Sequence, residues 1–168
     1  MKHTEGVCVA LWFVLGSSAT VGGRDEPTLD SRIIEALKAR EPDWRPVTAL
    51  ESGRVPLVPS EKRILAAVWQ SPKSHGEDVE VFVYGVANRD EAMGWLERLR
   101  NKRVSPGWQV RSHQLGDEGY LSKYKDGKRF EIEFRRGLVV AKIAGDALHL
   151  VKAFAKCVVE QIPASPKP

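Results

Sequence analysis

Hydrophobic and polar positions alternate most regularly between Gly119 and Ala144. Across three successive runs, Leu121, Phe130, Ile132, Phe134, Ala141 and Ile143 fall on one side, while Tyr120, Ser122, Tyr124, Glu131, Glu133, Val140 and Lys142 fall on the other. A period of two is the signature of β-strands. Asp126-Gly127 and Arg136-Gly137 punctuate the run as hairpin turns. As two-residue turns, the first sets Lys123 opposite Phe130, Leu121 opposite Ile132 and Gly119 opposite Phe134. The second sets Phe134 opposite Val139, Ile132 opposite Ala141 and Phe130 opposite Ile143. Both deliver the same apolar side chains to one face, and a one-residue slip would invert them. The pattern predicts a three-stranded meander, with Glu131 opposite Lys142 on its second face.

Elsewhere the period changes to that of helices. Asp146 is placed to cap a final helix whose Ala147, Leu148, Val151, Phe154, Ala155, Val158 and Ile162 form one stripe, with His149, Lys152, Lys156 and Glu160 opposite. That stripe is expected to lie across the face bearing Phe130, Ile132 and Phe134. Asn88-Arg89-Asp90-Glu91 has the spacing of a capping arrangement and opens a helix to about Arg103, with Ala92, Trp95, Leu96 and Leu99 on one face. Asp30 or Ser31 begins a short helix around Ile33, Ile34 and Leu37, ended by Pro42. Arg63–Gln70 and Val79–Val86 read as strands, the second apolar on both faces and so central to the sheet. Trp108–His113 is a further short strand after Pro106-Gly107. Trp44 to Pro59, with Pro46, Pro56 and Pro59, reads mostly as irregular chain. These elements predict an α+β domain: a curved antiparallel sheet of about six strands, in the order ββαββββα, with the middle and final helices packed on one face.

The first residues change the picture of where the chain works. Lys2 precedes an apolar stretch from Val7 to Leu15, and Gly16-Ser17-Ser18-Ala19 supplies small residues suited to signal peptidase. Residues 1–19 are therefore read as a secretory leader, 20–59 as the first helix and Pro-rich segment, 60–162 as the sandwich core, and 163–168 as a disordered tail. The alternative is a retained membrane anchor, but Gly16, Ser17, Ser18, Thr20, Gly22 and Gly23 make its second half poor for spanning. Cys8 lacks the small and apolar residues expected before a lipidated cysteine.

Removing the leader takes one lysine and one glutamate, so the formal charge of the exported chain stays at +4. Such an excess is too small, without clustering on one face, to imply nucleic acid. Only Cys157 then remains, which excludes an intramolecular disulfide and points to a buried structural thiol.

Two constellations carry candidate chemistry. Tyr120, Tyr124, Glu131, Glu133 and Lys142 share the sheet face opposite the final helix, where amphipathic rings beside charges suit a ligand or protein partner. A solvated face with an ordinary cross-strand ion pair is the plainer account. His113, Asp117 and Glu118 lie in and beside Leu115-Gly116-Asp117-Glu118-Gly119, where an acid–base site is conceivable. No second histidine or paired carboxylate stands at metal-ligand spacing, and a tight Gly/Asp loop explains the same residues. Arg98, Arg100, Lys102 and Arg103, and Lys123, Lys125, Lys128 and Arg129, form two basic groups that make contact with an anionic membrane surface a minor expectation. No nucleophile elbow, phosphate loop, zinc-protease motif or dinucleotide fingerprint is present, and no cofactor is implied.

The run Leu115-Gly116-Asp117-Glu118-Gly119, followed by Phe134-Arg135-Arg136-Gly137-Leu138-Val139-Val140 and an amphipathic last helix, resembles small exported bacterial domains of unknown function. At fold level it is similar to the α-β sandwiches grouped with photosystem PsbP and mycobacterial sensor-like lipoprotein domains, over roughly residues 60–162. The chain departs from the mycobacterial group in lacking their disulfide cysteines and a lipobox. That resemblance implies no shared catalytic motif. The expectation is an exported, secreted or periplasmic, monomeric binding or accessory module without catalysis, for an unknown protein or small molecule. A small hydrolase using His113, Asp117 and Glu118 is the alternative, and an envelope-anchored protein is a third.

Overall fold

The computed structural model describes residues 26–49, 57–73, 77–102 and 106–164. The leader, His75, Arg103 and the end of the tail lie outside them. Among the described residues, three helices and seven strands follow in the order α1 (Leu29–Arg40), β1 (Arg45–Ala49), β2 (Lys62–Gln70), β3 (Asp78–Gly85), α2 (Arg89–Lys102), β4 (Trp108–Ser112), β5 (Glu118–Tyr124), β6 (Phe130–Arg136), β7 (Val139–Gly145) and α3 (Leu148–Gln161). The strands form one open antiparallel sheet in the order β1-β2-β3-β7-β6-β5-β4. The α+β expectation holds, with one strand more than the pattern suggested, and the short first helix expected ahead of the two-helix core is present as α1. The added strand is β1: Arg45–Ala49 is paired chain rather than irregular, and its Pro46 is tolerated because β1 is an edge.

The meander pairs as expected at its first turn, where Lys123, Leu121 and Gly119 face Phe130, Ile132 and Phe134. The second turn differs by two residues. Phe134 faces Ala141, Ile132 faces Ile143, and Lys142 faces Glu133, whereas Glu131 faces Ala144. Gly137 has φ 61°, so the positive φ falls on the first central residue of a Gly137-Leu138 turn and not on the second of Arg136-Gly137. A shift of two preserves every side chain's face, which is why the apolar set still lands together.

Helix boundaries also shift slightly. Thr28, not Asp30 or Ser31, stands at the N-cap of α1, and Ala147, one residue past Asp146, stands at that of α3. For α2 the capping spacing is realised: Asn88 Oδ1 accepts the Glu91 backbone N–H at 2.9 Å.

The two sheet faces build two cores. On one, α3 covers Val81, Val83, Ile132, Phe134, Ala141 and Ile143, and α1 lies against α3 through Ile33 and Leu37. α3 is thus apolar beyond its expected stripe, with Leu150, Cys157 and Val159 also buried, because it is enclosed between sheet and helix. On the other face, Ala92, Trp95, Leu96 and Leu99 of α2 meet Tyr84, Val86 and Val140. The middle helix therefore does not share a face with the final one. A central strand apolar on both sides requires cover on both, and one helix layer supplies each.

Candidate functional site

The Tyr120 face lies on the α2 side and is largely built into the fold. Glu131 and Glu133 are 7% and 2% exposed, so this is not the solvated surface that alternation suggested. Lys142 places Nζ 4.7 Å from the centroid of the Phe82 ring, its cross-strand neighbour on β3. Tyr124 stands edge-on to Trp108 with centroids 5.2 Å apart. Tyr120 donates its hydroxyl to Glu118 Oε1 at 2.8 Å, and the Arg100 guanidinium lies 5.9 Å from its ring. The Glu118 hydrogen bond, together with burial, raises the phenol above its ordinary pKa. The basic end of α2, though exposed, makes contacts within the chain: the Arg100 guanidinium lies against the Tyr120 ring, and Arg98 donates to the Leu57 carbonyl.

The His113–Glu118 segment lines an open concavity of about 490 Å³ formed by Ser112 to Tyr120. Its carboxylates, however, turn to Arg135. Asp117 Oδ2 accepts Arg135 Nη1 at 3.3 Å and the Gly137 N–H at 2.8 Å, and Glu118 Oε2 accepts Arg135 Nε at 3.2 Å. The Asp117 N–H donates to the Arg135 carbonyl at 2.8 Å. The loop therefore straps the β6–β7 hairpin around Arg135, a residue only 7% exposed. Gly116 makes the approach possible: at φ 68°, a Cβ there would stand 2.3 Å from the Arg135 carbonyl oxygen. His113 faces elsewhere electrostatically. Desolvation, then Lys152 and Arg111, hold its imidazole below the ordinary pKa, so cations from the α3 side are its charged neighbours.

Among the described residues, no cluster of three or more His, Cys, Asp or Glu side chains is arranged to hold a metal ion. None of their helices is long and apolar enough to cross a membrane. Cys157 is buried, and desolvation raises its thiol pKa.

Alternation did not single out a second concavity, on the α3 face. α3 lies over β3, β7 and β6, and its first turn leaves the β5–β4 end of the face open. There Gln109, Val110, Arg111, Leu121, Lys123, Phe130 and Leu148 line a groove of about 500 Å³. Leu121 belongs to the main core, and the half-buried Phe130 and Leu148 extend it to the surface. Arg111 and Lys123 are exposed. Since Arg111 pairs with Leu121, Lys123 is its diagonal neighbour, about 7–8 Å away at Cα. Two long cationic side chains at that spacing can reach one anion. Lys123 Nζ rests 5.9 Å from the Phe130 ring centroid, and no carboxylate is among the described residues that line the groove. The sequence signal existed in the meander register: Leu121, Lys123 and Phe130 share a parity, but Arg111 joins them only through the β4–β5 pairing.

Compared with known proteins, the chain matches no family model, and no curated protein matches it.

Proposed function

We propose that this protein is an exported, monomeric, non-catalytic binding module that takes a small anionic ligand in the groove between β4, β5, β6 and the start of α3. The observation that carries this reading is the pairing of an apolar floor with two exposed cations, Arg111 and Lys123, on a rim whose described residues include no carboxylate. Concave, mostly apolar sites with a few convergent polar groups are the usual form of small-molecule sites. The resemblance to PsbP-like and mycobacterial sensor-like sandwiches is kept within this proposal, since those domains share no catalytic motif. The hydrolase alternative has less support, because Asp117 and Glu118 both bond Arg135. Export rests on residues 1–19, and the mass of the N-terminal peptide of secreted protein tests it against a retained anchor.

Fluorescence titration with anilinonaphthalene sulfonate, an anionic apolar probe, tests the site. The expected result is saturable binding that weakens on raising salt and falls about tenfold in the Arg111→Ala, Lys123→Ala double variant. Unchanged affinity in a double variant that melts like the parent would overturn the reading.

A further inference from the structure

We infer that the natural ligand is an amphiphile with an anionic head, a carboxylate or phosphate, held by Arg111 and Lys123, and an unbranched apolar tail lying over Leu121, Phe130 and Leu148. This rests on the anion-binding groove proposed above and adds the chemistry of the ligand's other half.

The floor argues for the tail. Leu121 is 3% exposed and continuous with the main core, whereas Phe130 and Leu148 keep part of their surface open where the helix stops covering the sheet. An apolar group laid there completes the packing that α3 provides over β7 and β6. From β4 to β6 the floor crosses two strand spacings, about 10 Å, which suits a medium-length chain better than a long one.

The lining argues against more polar ligands. Gln109 is its one neutral polar side chain. A sugar or nucleoside would leave most of its hydroxyls facing Leu121, Phe130 and Leu148, where they would have no partner. The cations argue for the head. Lys123 sits over the Phe130 ring, a contact that an incoming anion can replace while the ring stays available to the tail. Lys152 and Arg111 are the two charges that act on His113 beside this end of the face.

The test is displacement of anilinonaphthalene sulfonate from the purified full chain by hexanoate, octanoate, decanoate and dodecanoate, each below its micelle concentration. Decyl phosphate, decan-1-ol and decyltrimethylammonium vary the head. The expected result is affinity rising about two- to fourfold per added methylene until the tail outgrows the floor. Decyl phosphate should compete like decanoate, decan-1-ol about tenfold less well, and the ammonium not at all. Leu148→Ala, in protein whose melt matches the parent's, should weaken decanoate about fivefold and hexanoate much less. Probe binding that depends on Arg111 and Lys123, combined with equal competition by all chain lengths, would overturn the amphiphile and leave the anion site standing. Competition by the ammonium as strong as by decanoate would overturn both.

Discussion

Phe154 of α3 meets Trp69 of β2 edge-on, with ring centroids 5.9 Å apart and planes at 74°. Trp44, just before β1, meets the same ring from another side at 5.5 Å. The three rings join the last helix, the β1–β2 edge and the chain leaving α1, and Phe154 and Trp69 are fully buried. Replacing Phe154 with Ala is expected to cost about 3–5 kcal/mol, the usual range for emptying a buried aromatic site. Phe154→Asp, which adds an unpaired charge there, should abolish cooperative unfolding. Urea denaturation followed by tryptophan fluorescence measures both, and a sharp transition retained in the Asp variant would contradict the packing.

Two glycines, one in the strap around Arg135 and one in α2, carry opposite predictions. Gly116→Ala places a methyl against the Arg135 carbonyl in a left-handed backbone conformation and should cost about 2 kcal/mol or more. Gly94 lies within α2 with nothing within 4 Å of its added Cβ, so Gly94→Ala should stabilise by about 0.5–1 kcal/mol. Paired thermal melts decide between this contrast and a loop that is merely tolerant.

His113 gives a pH dependence. Its pKa in the folded chain lies below the ordinary 6.5, so between the two values the unfolded chain binds more protons. The folded state therefore loses stability as pH falls from above 6.5 through the lowered value, and regains it on return. Melting temperatures of the parent and of His113→Gln, compared between pH 5 and pH 8, should converge on acidification if the parent starts higher. A difference independent of pH would contradict the desolvated, cation-flanked position.

Much of the fold was legible because it depends on local rules. The alternation from Gly119 to Ala144 and the spacing of Phe154 and Val158 each identify a core face without knowledge of the partner. The parts that were not legible depend on pairings distant in sequence. Nothing near Arg45 announces that Pro46 lies in an edge strand, since the prolines alone suggest irregular chain. Ala92, Trp95, Leu96 and Leu99 show that α2 has an apolar face but not which side of the sheet it meets; Tyr84 and Val140 held that information as apolar residues on the far parity. The Asp117 and Glu118 carboxylates looked available for chemistry because Arg135, their partner, is about 17 residues away in sequence. The groove was missed because β4 contributes half of its rim, and the place of that strand at the sheet edge is a product of the whole topology.

The most direct test of the account is backbone amide chemical-shift mapping during a decanoate titration. The groove predicts saturable shifts concentrated at Gln109–Arg111, Leu121–Lys123, Phe130 and Leu148, with those at Tyr120, Glu133 and Lys142 small. Shifts centred on Tyr120, Glu133 and Lys142, or on the His113–Glu118 loop, would contradict it.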